Sequence, residues 1–222
     1  MNNSDIFPHI DHTLLKATAT AEQITQLCDE ALLYHTASVC IPASYVKFAR
    51  EKFPDLNICT VIGFPLGYST AAVKCFEARD AIQNGANEID MVINLGWVKN
   101  GKFSEIEREI SDVKNTCGDK ILKVIIETCY LNTEEKITLC KCVTNAGADY
   151  IKTSTGFGTA GAAIEDIRLF KQHIGENVKI KAAGGVKTKA DLEMFLKEGC
   201  ERIGTSSAVG LLVGDNYVIG GY

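Results

Sequence analysis

Glu134-Glu135-Lys136-Ile137-Thr138-Leu139-Cys140-Lys141-Cys142-Val143-Thr144-Asn145-Ala146-Gly147-Ala148-Asp149-Tyr150-Ile151-Lys152-Thr153-Ser154 is the stretch on which the fold turns. Its first half carries apolar residues at helical period, and Gly147 stands where a left-handed residue ends a helix. Its last five residues form a short aromatic and β-branched run, the composition of a buried strand. Outward from this unit in both directions the same alternation recurs. Apolar runs lie at 10–14, 38–41, 58–62, 88–93, 122–128, 150–154, 178–182 and 202–205, their starts 20 to 34 residues apart. Helical-period segments fill the gaps at 21–34, 45–52, 71–84, 103–116, 134–145, 164–173 and 189–198.

The punctuation agrees. Thr20 precedes one segment with acidic Glu22 in its first turn, and Thr133 precedes Glu134 and Glu135, which suits N-caps. Gly85 and Gly199 follow other segments as Gly147 does. Short strand–helix alternation implies parallel strands joined by right-handed crossovers. Eight such units predict an α/β fold, a single (β/α)8 TIM barrel over residues 1–222 with a short C-terminal tail. The eighth helix is the weak element, because little chain follows Ala208, and a doubly wound open sheet is the alternative.

With 222 residues, 46% of them hydrophobic, the chain is long enough for a sizeable core without disulfide or metal staples. Lys and Arg number 23 against 28 Asp and Glu, a net charge of −5, with no basic run suited to nucleic acid or an anionic membrane. Neither partner is expected. No apolar stretch has the length of a bilayer span. Nine cysteines, an odd count in a long chain with a polar start, read as buried small hydrophobes. Cys140 and Cys142, the close pair in sequence, would point to different sides of a helix. The expectation is therefore a cytoplasmic, reduced protein without a metal site.

Strands of such a barrel are buried on both faces, so a charge within one is costly unless paired or used. Asp90, Lys152 and Lys181 are such charges in the fourth, sixth and seventh runs. Ile89, Met91, Ile151 and Ile180 occupy the opposite parity, so all three charges are expected to point inward. Lys152 and Lys181 fall on neighbouring strands about 5 Å apart. Desolvation and a like charge both disfavour a protonated lysine. A neutral amine is what addition to a carbonyl requires. A buried ion pair filling a barrel layer is the plainer reading of any one of these residues. As a trio it would leave one positive charge unmatched.

The seventh run continues into Ala183-Gly184-Gly185-Val186-Lys187-Thr188, and the eighth into Gly204-Thr205-Ser206-Ser207. Barrel phosphate sites are often built from the loops after these two strands, where glycines bring backbone N–H groups close to an anion. Gly184, Gly185, Gly204, Ser206 and Ser207 are the expected phosphate donors, with Lys187 as the cation and Gly156 closing the cup. No Gly-x-Gly-x-x-Gly or Walker-type motif points to a nucleotide instead.

Six segments then fall into one pattern: Asp11-His12-Thr13-Leu14-Leu15-Lys16, Thr60-Val61-Ile62-Gly63-Phe64-Pro65-Leu66-Gly67, Glu88-Ile89-Asp90-Met91-Val92-Ile93-Asn94, Lys123-Val124-Ile125-Ile126-Glu127-Thr128-Cys129, Gly147 to Phe157, and Lys181-Ala182-Ala183-Gly184-Gly185-Val186. Together they resemble the 2-deoxyribose-5-phosphate aldolase family. The resemblance implies a (β/α)8 barrel, reversible cleavage of a phosphorylated deoxysugar to acetaldehyde and D-glyceraldehyde 3-phosphate, and no metal or organic cofactor. It also implies that Lys152 forms the Schiff base, that Lys181 eases loss of its proton, and that Asp90 serves as acid/base through a water. Ile41-Pro42-Ala43 departs from the family pattern after Cys40. Phe157 stands where some relatives place a lysine, leaving Lys187 as the phosphate cation. The terminal Tyr222 is expected to fold over the pocket or to fray. Cys40 is expected near the pocket mouth, within reach of aldehyde products. A homodimer is expected. A phosphosugar isomerase and a phosphometabolite-binding barrel are the rival readings.

Overall fold

The computed structural model describes residues 1–214. Tyr222 lies outside the described residues. Eight parallel strands form one closed barrel in sequence order, which excludes the doubly wound alternative. They are β1 (Ile10–Thr13), β2 (Ser38–Ile41), β3 (Ile58–Ile62), β4 (Glu88–Val92), β5 (Ile121–Ile125), β6 (Tyr150–Lys152), β7 (Lys179–Ala183) and β8 (Arg202–Thr205). Closure is made by β1 against β8, with Ile10 opposite Ile203 and His12 opposite Thr205.

Ten α-helices are described: α1 (Asn3–Ile6), α2 (Ala21–Tyr34), α3 (Val46–Lys52), α4 (Ala71–Gln83), α5 (Leu95–Lys99), α6 (Phe103–Cys117), α7 (Thr133–Asn145), α8 (Ile164–His173), α9 (Lys189–Lys197) and α10 (Ala208–Val213). The eighth crossover that the sequence left weak is the six-residue α10. Thr20 caps α2 as expected, with Glu22 in the first turn and Gln23 as the reciprocal capping partner. The cap of α7 is Asn132, whose side chain accepts from Glu135 N, so Thr133 is the first helical residue and not the cap. Gly85, Gly147 and Gly199 all take positive φ after α4, α7 and α9.

The core is the layer between strands and helices. Ile89, Met91, Ile151 and Ile180 pack there, on the helix-facing side. The period-two alternation therefore turns the other parity to the barrel axis. In register across the sheet, that inward set includes Asp11 and Thr13, Ser38 and Cys40, Glu88 and Asp90, Lys123, Tyr150 and Lys152, Lys181 and Ala183, and Arg202 and Gly204. An interior so rich in charge is unlike the aliphatic layers that usually fill such barrels. The polar set needs a reason. No described helix is long and apolar enough to cross a membrane.

Candidate active site

Asp90 is the hub. Its Oδ2 accepts from Lys152 Nζ at 2.7 Å and from Lys181 Nζ at 2.7 Å. Its Oδ1 accepts from Lys123 Nζ at 2.8 Å and from the Cys59 thiol at 3.1 Å. The three residues singled out from sequence thus meet at one carboxylate. Four further charges, not foreseen, complete the network. Asp11 pairs with Lys181 and with Arg202, Lys123 reaches Glu88 at 2.5 Å, and Arg202 reaches Glu88 at 2.8 Å. Asp11, Glu88 and Asp90 therefore face Lys123, Lys152, Lys181 and Arg202. Glu88 and Lys123 could have been found from the sequence, since each is a charge inside an apolar run with the parity of Asp90.

Burial by itself would raise the Asp90 carboxyl, but the cations of Lys123, Lys152 and Lys181 outweigh it and hold the group well below its ordinary range. The same contest, won by Lys181, Lys123 and Arg202, holds Asp11 down. For Lys181 the same contest runs between burial and two carboxylates. Burial disfavours its charge, yet Asp11 and Asp90 outweigh burial and raise it above the usual lysine range. Lys181 is a fixed cation. Its contribution to Lys152 is a permanent like charge, not a shared loss of protons.

One end of the network opens into a cavity of about 380 Å³. Lys152 lies on its wall together with all seven residues expected to bind phosphate: Gly156, Gly184, Gly185, Lys187, Gly204, Ser206 and Ser207. Thr13, Leu15, Thr155 and Thr205 line it too. Gly184 and Gly185 have φ of 79° and 73°, consecutive left-handed residues that an L side chain would strain. The loop after β6 presses on this turn so closely that a Cβ on Gly161 would sit 2.3 Å from the Gly184 backbone. Gly204 serves the interior as well, because a Cβ there would lie 3.1 Å from Lys181 Cε. Ser207 ties the two loops, its Oγ 3.0 Å from Thr205 Oγ1 and donating to the Val186 carbonyl at 3.4 Å.

Glu127, at the carboxyl end of β5, adopts φ 51° although it is not glycine. Its buried carboxylate accepts from Thr155 N at 3.1 Å and from the Thr155 hydroxyl, clamping the turn that carries Gly156. A non-glycine residue held in that region costs of order 1–3 kcal/mol, which the surrounding contacts must offset. Cys40 is fully buried beneath Leu15 rather than exposed at the pocket mouth. Phe157 is exposed, its ring edge-on to Phe64 at 5.3 Å. Cys40, Cys59 and Asp90 lie close together, a grouping of possible metal ligands that sequence spacing did not suggest.

Residues 6–218 match the model of the DeoC/LacD family aldolases. The chain belongs to this family. A Clostridium botulinum protein named deoxyribose-phosphate aldolase is 62% identical over 216 residues, covering 97% of this chain and 98% of its own. A Clostridioides difficile protein of the same name is 59% identical, covering 93% and 95%. Among solved structures, a deoxyribose phosphate aldolase from Aeropyrum pernix, described as tetrameric, superposes with a TM-score of 0.88 at 31% identity, covering 96% of this chain and 91% of its own. The aldolase thus has the barrel of its relatives along almost its whole length. The expected resemblance is borne out.

Proposed function

We propose that this aldolase reversibly cleaves 2-deoxy-D-ribose 5-phosphate to acetaldehyde and D-glyceraldehyde 3-phosphate through a Schiff base on Lys152. One observation carries the reading: a single cavity is lined both by Lys152 and by a glycine- and hydroxyl-rich cup. Support for the substrate comes from the activity for which the 62% and 59% identical relatives are named.

The charge count supports the amine chemistry. Three carboxylates face four cations, so with every group ionised the network carries one excess positive charge. Of the four cations Lys152 alone lines the cavity, where it can meet a substrate carbonyl. Its free amine adds to C1 of the open-chain sugar, and loss of water gives an iminium. Asp90, held anionic, orients the water that takes the C3 hydroxyl proton. The C2–C3 bond then breaks, with its electrons passing into the iminium. Glyceraldehyde 3-phosphate departs first, and protonation and hydrolysis of the remaining enamine release acetaldehyde. Backbone N–H groups of Gly184 and Gly185, with Ser206, Ser207 and Lys187, grip the phosphate. That remote binding energy holds the reacting carbons in place.

The protein is further taken to act as a homo-oligomer in the cytoplasm. The tetrameric Aeropyrum relative supports assembly, as do Leu66, Tyr68, Val73 and Phe76, which leave apolar surface on and beside α4. Release of glyceraldehyde 3-phosphate from 2-deoxyribose 5-phosphate, followed with a coupled dehydrogenase, tests the reaction. Wild-type protein turns over and Lys152→Ala does not. Near-normal turnover by Lys152→Ala would refute the mechanism, and no turnover by wild type would refute the substrate.

A further inference from the structure

The mechanism makes no use of two thiols inside the barrel. Cys40 on β2 and Cys59 on β3 are direct register partners. Parallel neighbours stand about 4.8 Å apart, within the Cα separation that a disulfide spans. Both are fully buried and free, and their sulfurs and an Asp90 oxygen lie within 4.8 Å of one another. Cys59 is also wired to the reaction centre, since its thiol donates to Asp90 Oδ1 at 3.1 Å while its sulfur accepts from Lys123 Nζ at 3.3 Å. Cys40 packs against Leu15, a residue of the cavity wall.

We propose that Cys40 and Cys59 form a dithiol–disulfide pair, oxidised by small hydroperoxides entering through the active-site cavity, and that the disulfide shuts the site down. The two thiols are unequal. Cys40 packs against Leu15 of the cavity wall, whereas the S–H of Cys59 is held by Asp90 Oδ1. Cys40 is therefore the attacking sulfur and Cys59 the resolving one. Cys28, Cys117, Cys140 and Cys200 are pushed up to about 12 by burial, which makes them poor competitors. The Cys40 thiolate attacks the peroxide, the O–O bond breaks, and a sulfenic acid and one water result. The Cys59 sulfur then loses its proton and displaces the sulfenic oxygen as a second water. Two thiols are oxidised by two electrons and hydrogen peroxide is reduced to two waters. Afterwards Cys59 has no S–H to give Asp90 Oδ1, and its sulfur is drawn toward β2, so the carboxylate that gathers Lys123, Lys152 and Lys181 loses one of its four anchors.

Hydrogen peroxide treatment of the whole protein, denaturing alkylation and non-reducing peptide mapping test the proposal. The expected result is a Cys40–Cys59 linked peptide. Turnover falls at least tenfold in step with the link, and dithiothreitol restores it. Cys59→Ser keeps a hydroxyl toward Asp90, and in that variant no link forms and no thiol-reversible loss is seen. Recovery of Cys40 and Cys59 as alkylated thiols while Cys75 or Cys129 is oxidised would overturn the proposal. So would a linked protein that keeps full activity. The linked peptide is read by mass, so it decides the thiol chemistry even if the substrate assignment were to fail.

Discussion

Replacing Lys181 by leucine removes one fixed positive charge beside the Lys152 amine. Lys152 Nζ and Lys181 Nζ each lie 2.7 Å from the same Asp90 oxygen, so the nitrogens are at most twice that, about 5.4 Å, apart. At an effective dielectric constant of about 20, two unit charges at this separation repel by about 3 kcal/mol, equivalent to about two pH units. Leucine removes that repulsion and leaves Asp11 and Asp90 less compensated, so both effects favour a protonated Lys152. The acid limb of the kcat/KM profile should therefore move about two units toward higher pH. At neutral pH that shift costs up to about a hundredfold, and any lost positioning adds to it. A pH series of initial rates with 2-deoxyribose 5-phosphate, on protein checked for folding by circular dichroism, reads this directly. Part of the deficit should be recovered at high pH. A folded Lys181→Leu protein with an unmoved profile would refute the electrostatic reasoning, even if its activity were low.

Three further outcomes follow from other parts of the molecule. Lys187→Ala and Ser206→Ala should raise KM for the phosphorylated sugar while changing kcat/KM for unphosphorylated 2-deoxyribose little; equal losses on both substrates would remove these residues from the phosphate cup. Glu109→Ala leaves Lys74, now 2.8 Å from that carboxylate and fully buried, without its ionic partner, and should destabilise the fold by about 3–5 kcal/mol, lowering Tm by roughly 10 °C in calorimetry. An unchanged Tm would show that the pair contributes nothing. Asp11 and Asp90 are held below their ordinary values, so the stability they supply is complete above about pH 4, where unfolded aspartates ionise, and is lost as pH falls toward their folded values. Urea midpoints should be flat above pH 5 and fall below pH 4, and a flat profile to pH 3 would contradict the paired network.

The barrel was legible because strand and helix periods alternate and because glycines end the helices, both local signals. Asp90, Lys152 and Lys181 were legible for one reason: a charge inside an apolar β run is expensive. That Gly184, Gly185, Ser206 and Ser207 line one cavity followed from where they fall relative to the last two strands. The partners of those charges were harder to read. Asp11 adjoins His12, so the polar pair in β1 gave no face preference, and Arg202 at the start of β8 looks like a solvent-facing residue. Asp11 and Asp90 together fix the charge of Lys181. The meeting of Cys40 with Cys59 depends on the register of β2 against β3, which is set by the closed sheet and leaves no trace in either segment alone. Helix caps erred by one residue at α7 because Asn132 and Thr133 are both good caps and only the backbone chooses between them.

The most direct test of the central claim is peptide mapping after incubation with acetaldehyde and borohydride, which reduces an imine to a stable secondary amine. The account predicts one ethyl group, carried by Lys152, and none in Lys152→Ala. An absence of adduct, or ethylation spread over surface lysines with Lys152 unmodified, would contradict imine chemistry at this site.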